Sequence, residues 1–154
     1  MLHRNRLFPV LAGTLLFILG GRQAKAMSLP ASSQDSITRY EVLIDSSFMA
    51  GNLGDYPRAE SYLRQALRLA PKGQLQAMLL NNLGGLQLLQ GKDDAALLSF
   101  GAALEQSPND PTTRYNRAQL FVRKKNYKAA LTDLALLVSA YPKNELYHYQ
   151  RAMV

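Results

Sequence analysis

A pattern of four residues occurs three times in this chain of 154 residues, always with internal spacings of four, three and five. The second copy follows the first after 37 residues, and the third follows the second after 34. The copies are Ala59, Leu63, Ala66 and Pro71; Ala96, Phe100, Ala103 and Pro108; and Ala130, Leu134, Leu137 and Pro142. A period of this length is typical of repeat proteins, in which each unit buries its apolar face against its neighbours. The sequence therefore predicts a stack of similar units.

Each copy of the pattern is preceded by a short turn sequence and, before it, a further helical stretch. The turns are Gly54-Asp55-Tyr56, Gly91-Lys92-Asp93 and Lys125-Asn126-Tyr127. Apolar residues recur at three- and four-residue intervals, as in helices that bury one face, and no stretch shows the sustained alternation of a strand. We expect an all-α fold in which each unit is a first and a second helix joined by a tight turn.

Helix ends are also visible in the sequence. Thr38 and Glu41 fit a capping box, which places the start of the ordered part near Thr38 and makes residues 27–37 a flexible lead-in. The prolines that close the repeated pattern end the second helices. Further candidate N-caps are Asp110, which precedes Pro111, and the asparagines Asn126 and Asn144.

Residues 1–26 resemble an export signal. Two arginines, Arg4 and Arg6, precede an apolar stretch at residues 7–21, and Ala24-Lys25-Ala26 fits the small-x-small cleavage pattern. We expect cleavage after Ala26 and a periplasmic or secreted protein with no stable membrane span. The alternative is that residues 7–21 stay as an anchor helix, although they are short against the roughly 20 residues that a span needs.

The basic charge of the chain depends largely on this segment. Residues 1–26 contain four cations and no acid, so removing them lowers the formal charge from +7 to 7 − 4 = +3. A mature charge this small argues against a nucleic-acid partner.

The candidate chemical motifs point away from catalysis and cofactors. The chain has no cysteine, which excludes disulfides, thiolate zinc sites and cysteine nucleophiles. A phosphate loop needs four residues between its glycines and Ser or Thr after the lysine, whereas here five residues separate Gly85 from Gly91 and Asp93 follows Lys92. Asp93 and Asp94 suit the start of a helix better than a metal site. His148 has no triad around it. We expect no enzyme, no metal and no cofactor.

Residues 77–110 resemble the tetratricopeptide repeat, whose first helix carries Trp-x2-Leu-Gly-x2-Tyr and whose second carries Ala-x3-Phe before a closing Pro. The matching positions are Leu80 for Trp, Leu83-Gly84, Gln87 for Tyr, Ala96, Phe100, Ala103 and Pro108. The resemblance implies a right-handed superhelical stack of antiparallel helix pairs with repeats at about 40–73, 77–110 and 111–144. A lone helix at 144–154 follows, because Tyr149-Gln150-Arg151-Ala152 repeats Tyr115-Asn116-Arg117-Ala118 after 34 residues.

The resemblance also implies a function. First helices of this family line a concave groove that binds peptides or partner helices, which makes the chain a non-catalytic interaction module for a protein partner. The corresponding residues are Ile44, Phe48, Met78, Asn81, Asn82, Gly85, Tyr115, Asn116, Gln119 and Arg123. The apolar members Ile44, Phe48 and Met78 fit either partner anchors or packing between repeats. Only Asn82 matches the family variant that grips a C-terminal carboxylate, so no such clamp is expected.

Two further modes of association stay open. Arg123, Lys124, Lys125 and Lys128 form a basic patch that could bind an acidic partner, although a charge run is usually a solvated turn. An incomplete last repeat could also dock on a second copy and make a homo-oligomer, because the end of a solenoid exposes apolar surface unless its outer face is polar.

Overall fold

The computed structural model describes residues 31–154, with side chains from Arg39 onward. Over this range the chain forms seven helices and no strand, which confirms the all-α prediction. The helices are α1 (Ala31–Asn52), α2 (Tyr56–Leu69), α3 (Gln74–Leu89), α4 (Asp93–Gln106), α5 (Pro111–Arg123), α6 (Tyr127–Ala140) and α7 (Glu145–Met153). The export signal predicted at residues 1–26 lies outside the described residues.

Helices that follow one another along the chain pack against one another from α1 to α7. Three residues connect the helices within each pair, and four residues lead from one pair to the next. Loops this short force neighbouring helices to run antiparallel. The first helices of the units are α1, α3, α5 and α7, and the second helices are α2, α4 and α6. The expected solenoid of helix pairs is confirmed.

The turns inside the pairs share one backbone feature. Gly54, Gly91 and Lys125 stand at equivalent positions, and all three have positive φ values, of 77°, 71° and 59°. A left-handed residue after a helix lets the chain reverse within three residues, and glycine adopts this conformation without a steric cost. Lys125 adopts the same left-handed conformation, although its side chain gives that conformation a steric cost.

The predicted caps of the later helices are confirmed. The side chains of Asp110, Asn126 and Asn144 each accept a hydrogen bond from the backbone N–H three residues further on, at 2.7, 3.3 and 3.4 Å. Pro111 occupies the first turn of α5, where a missing N–H costs nothing.

The predicted start of the ordered part near Thr38 is wrong. α1 begins at Ala31, so Thr38 lies inside the helix, and residues 31–37 are helical rather than a flexible lead-in. Neither glycine nor proline occurs between Ala31 and Ala50. Extending an existing helix costs far less than starting one, so the packed part of α1 propagates back to the residue after Pro30.

The repeated pattern forms the core. Its nine residues other than the prolines are each at most 3% exposed. Phe100 of α4 packs with Leu88 of α3 and Leu120 of α5, so one ring joins three helices. Space for the ring is left by Gly84 in α3, where an added Cβ would lie 2.6 Å from the nearest Phe100 carbon. The small residue and the ring therefore determine how closely α3 and α4 approach.

The third repeat packs its two helices together with a different combination of large and small residues. Leu137 stands where the other two repeats have Ala66 and Ala103 and is 1% exposed. It shares a cluster with Ala118, the counterpart of Gly84. The larger side chain on the second helix is thus accommodated beside a small one on the first.

Candidate binding groove on the first helices

The ten residues predicted to line the groove all lie on first helices, and we call them the first-helix surface. α1 carries Ile44 and Phe48, α3 carries Met78, Asn81, Asn82 and Gly85, and α5 carries Tyr115, Asn116, Gln119 and Arg123. Gly85 and Asn116 are buried, Arg123 is exposed and the other seven are half-buried. The ten residues therefore lie on successive first helices, but only part of their side-chain area is accessible to a ligand.

Two apolar members of this surface are used in packing. Ile44 and Met78 lie against a cluster of buried residues that includes Leu63 and Leu79. The packing interpretation is therefore the better one for these two side chains. Phe48 is half-buried and lies outside that cluster.

The amides of the surface form bonds between successive first helices. Nδ2 of Asn116 in α5 donates to Oδ1 of Asn81 in α3 at 3.0 Å. Nε2 of Gln119 in α5 donates to Oε1 of Gln150 in α7 at 2.9 Å. Gln150 is absent from the predicted set, although the 34-residue repeat of Asn116 places it. Each amide pair thus spans one junction between first helices, and Asn82 forms no such pair.

Tyrosines accompany the amides. The rings of Tyr115 and Tyr147 lie 5.8 Å apart, and Tyr141 approaches Tyr147 edge-on at 5.9 Å. Burial raises the pKa of Tyr115 above its ordinary value of 10.0, against a smaller opposing effect of the nearby Gln119 amide. Its phenol is therefore neutral at physiological pH and able to donate a hydrogen bond. Tyr149, the counterpart of Tyr115 in α7, is 60% exposed.

The predicted basic patch is partly neutralised. Arg123 Nη2 lies 2.9 Å from Asp93 Oδ1, and Lys124 Nζ lies 2.6 Å from Asp94 Oδ1. The Asp93 oxygen is buried without a well-aligned hydrogen bond, so that contact is an ion pair by distance rather than by direction. Four cations against these two acids leave 4 − 2 = +2. The structure thus weakens the patch as a binding site for an acidic partner.

The two remaining arginines near the surface are also paired. Arg114 and Arg117 of α5 both approach Asp133 of α6, with nitrogen to oxygen distances of 3.3 and 2.8 Å. Asp133 is only 2% exposed. These charges hold the third helix pair together.

A polar network joins the first two repeats, and no local sequence pattern predicts it. Glu60 of α2 accepts hydrogen bonds from Arg64 at 2.7 Å, Lys92 at 3.0 Å and Gln90 at 2.9 Å. Burial alone would raise the pKa of this carboxyl, but the bonds from Lys92, Arg64 and the glutamines outweigh it and lower the pKa to about 2. Glu60 is therefore ionised throughout the physiological range and acts as a junction between repeats.

A concavity of about 400 Å³ lies between α1 and α2, and none of the ten residues of the first-helix surface lines it. Its apolar lining includes Val42, Met49 and Leu53, which are 56%, 61% and 83% exposed. Its charged lining includes Asp45 and Arg58. None of the helices in residues 31–154 combines the length and apolar character that crossing a bilayer requires.

Comparison with known proteins gives a consistent picture. Two family models described as tetratricopeptide repeat match the chain, one at residues 50–111 and the other at residues 87–154. The Photosystem I assembly protein Ycf3 of Prochlorococcus marinus is 26% identical over 100 residues, which are 65% of this chain and 56% of the relative.

Solved structures share the fold. A tetratricopeptide repeat protein from Parabacteroides merdae is 34% identical with a TM-score of 0.72, over 75% of this chain and 45% of that one. The Yersinia enterocolitica type III secretion chaperone SycD, in complex with a peptide of the translocator YopD, is 19% identical with a TM-score of 0.65, over 80% and 93%. The second similarity shows the fold alone. The chain spans about half the length of Ycf3 and of the Parabacteroides protein.

Proposed function

Residues 50–154 belong to the tetratricopeptide-repeat family, and from this premise we propose that the chain is a non-catalytic adaptor whose first-helix surface holds a segment of a partner protein. The observation that carries the proposal is the row of amides and tyrosines that crosses three successive first helices, α3, α5 and α7. Amides offer both donors and acceptors, and tyrosines offer apolar area with a polar end, the two qualities that peptide-binding surfaces combine.

The relatives support this proposal by what they do. SycD is a chaperone that has been seen with a peptide of its translocator, and Ycf3 is an assembly protein. Both act on other proteins. An adaptor role is therefore consistent with the fold and with two of the proteins that share it.

The proposed location of the protein depends on the export signal predicted at residues 1–26. If the signal is cleaved after Ala26, the mature chain begins at Met27 and works in the periplasm or outside the cell. Intact-mass measurement of the exported form checks this. A form that keeps residues 1–26 would instead indicate an anchored adaptor.

Binding to a purified partner tests the surface. The tagged chain captures its partner from an envelope extract, and the dissociation constant is then measured with the isolated partner. We expect Asn82→Ala and Gln119→Ala to weaken binding about threefold to tenfold, since each removes one or two hydrogen bonds. Tyr127→Ala is the matched control, because Tyr127 lies on the second helix α6 and is 48% exposed. If both amide variants bind as well as the unchanged chain, the assignment of the surface is wrong.

Self-association is a second candidate, favoured by α7. That helix buries none of its residues, and it exposes Leu146 by 45% and Met153 by 67%. A second copy docking there would cover them. Light scattering that gives one concentration-independent monomer mass removes this candidate.

A further inference from the structure

The concavity between α1 and α2 lies where a preceding repeat would pack. Its lining includes Val42 and Met49 of α1, which are 56% and 61% exposed. The residues that stand 37 and then a further 34 positions along the chain are at most 3% exposed: Leu79 and Leu86 in α3, and Thr113 and Leu120 in α5. Within residues 31–154 no second helix precedes α1. The first repeat therefore exposes positions that the two later repeats bury against a neighbour.

The later repeats show what kind of element covers these positions. The second helix α2 packs against α3, and Leu79 and Leu86 share a buried cluster with Leu63 and Ala66 of α2. In the same way, α4 packs against α5. The covering element is a helix in both cases. We therefore expect the concavity between α1 and α2 to accept a helix.

The exposed side of α1 has the spacing of a helix–helix contact. Val42, Ser46, Met49 and Leu53 all line the concavity, at successive intervals of four, three and four residues. This spacing has the period of 3.5 residues at which two long helices pack side by side. The three apolar members are each more than half exposed. A helix laid along them would remove a continuous apolar stripe from water.

This stripe is symmetric along the helix. Val42 and Leu53 lie equally far from the midpoint between Ser46 and Met49. Two antiparallel copies of α1 that cross at this midpoint place Val42 opposite Leu53 and Ser46 opposite Met49. The small Ser46 leaves space for the methionine, and its hydroxyl already donates to the Val42 carbonyl at 2.8 Å, so its burial leaves no donor unsatisfied. A surface that matches itself in this way suits a two-fold dimer.

The charges of the concavity are complementary in the same arrangement. Asp45 of α1 and Arg58 of α2 both line it, and neither has an ion-pair partner among residues 39–154. Ser47 Oγ donates to the Ala59 carbonyl at 2.9 Å, which places the adjacent Arg58 beside the middle of α1. In the antiparallel arrangement Asp45 lies opposite Ala50 of the other copy, about 4.5 Å along the helix axis from Ser47. An arginine side chain spans that distance, so Asp45 of each copy can pair with Arg58 of the other.

We infer that two copies of this chain form a two-fold dimer in which α1 of each copy lies in the concavity between α1 and α2 of the other. The inference goes beyond the proposed adaptor function, since none of the ten residues of the first-helix surface lines the concavity. It also differs from association through α7, which lies at the other end of the stack. A dimer of this kind carries two first-helix surfaces and can engage one partner at two sites.

Light scattering over a range of concentrations tests the dimer on the protein purified as cells produce it. We expect twice the mass of one chain, dissociation to one chain on dilution, and no larger species, because a two-fold contact closes. Met49→Lys should weaken dimerisation at least about tenfold, since it brings two ammonium groups into the apolar contact. Leu98→Lys is the matched control, because Leu98 is 76% exposed on α4 and does not line the concavity.

A charge exchange tests the two-fold arrangement. Asp45→Arg alone and Arg58→Asp alone should each weaken dimerisation about threefold to tenfold, because each change brings two pairs of like charges together. A mixture of the two variants should recover the affinity of the unchanged chain, since each arginine then faces an aspartate of the other copy. A role of either residue in the stability of its own chain would not recover on mixing.

Three results would overturn the inference. The first is a monomer at every concentration, with the concavity covered by a helix of a partner or by residues 1–30 of the same chain. The second is a dimer that Met49→Lys leaves intact and Met153→Lys dissociates, which places the contact on α7. The third is a mixture of the charge variants that stays as weak as either variant alone. None of these results bears on the adaptor function, which the partner-binding test with Asn82→Ala and Gln119→Ala decides separately.

Discussion

Replacing Gly84 with alanine perturbs the contact that sets the separation of α3 and α4. The added Cβ would lie 2.6, 2.8 and 3.0 Å from three carbons of the Phe100 ring. Carbon atoms in favourable contact are about 3.5–4.0 Å apart, so the nearest carbon must retreat by at least about 0.9 Å. Phe100 is fully buried among Leu88, Ala96 and Leu120, which leaves the ring no open space.

Two opposing effects decide the size of the change. Alanine is more favourable than glycine inside a helix by about 0.8–1.0 kcal/mol. Overpacking a tight core costs about 1–3 kcal/mol. The first effect can be measured separately with Gly85→Ala, because Gly85 is the next residue of the same helix and a Cβ there meets nothing within 4 Å.

The assay is urea unfolding followed by far-UV circular dichroism. We expect Gly85→Ala to raise the free energy of unfolding by about 1 kcal/mol and Gly84→Ala to fall below it by about 1–3 kcal/mol. In a Phe100→Leu background the difference should shrink, since the shorter side chain vacates the space of the ring. If Gly84→Ala is as stable as Gly85→Ala in the unchanged background, the contact with Phe100 does not determine helix separation.

Three further predictions concern single side chains. The pKa of Glu60 is lowered to about 2 from 4.5, so its ionised form stabilises the fold above about pH 4.5, and this contribution, on the order of 3 kcal/mol, is lost as the pH falls towards 2. The difference in unfolding free energy between the unchanged chain and Glu60→Gln should therefore narrow between pH 7 and pH 3. A difference that stays constant over this pH range would contradict the network. Lys125→Gly should raise the unfolding free energy by up to about 1 kcal/mol, because it removes the cost of a positive φ, whereas a loss of stability in thermal unfolding would show that the turn carries no strain. Asp133→Asn should lower it by about 2–3 kcal/mol, because Arg114 and Arg117 lose their buried counter-charge, and denaturant unfolding with an unchanged midpoint would refute that role.

The core could be predicted from the sequence because its signal is local and periodic. Ala96, Phe100 and Ala103 recur at fixed spacing, and the structure buries all three completely. The caps Asp110, Asn126 and Asn144 were equally visible, since a cap acts on the backbone three residues away. The start of α1 cannot be predicted in this way, because helix propensity alone does not say how far a packed helix extends beyond its contacts.

The details of the binding surface depend on contacts between distant residues, which no local pattern shows. The sequence predicts that Asp93 and Asp94 start a helix, and they do lie in the first turn of α4. They also pair with Arg123 and Lys124 of the next repeat. Those pairs halve the charge of the predicted basic patch. The amide bond from Gln119 to Gln150 likewise joins residues 31 positions apart. Such pairs follow from the stacking of the repeats and become visible only when the helices are placed.

The most direct test of the proposed function is an NMR titration of the chain with its captured partner segment. The binding surface proposed here predicts chemical-shift changes concentrated at Asn82, Gln119 and Gln150 on successive first helices. Changes confined to the lysines at 125 and 128, or to Met49 and Leu53 in the concavity between α1 and α2, would contradict it.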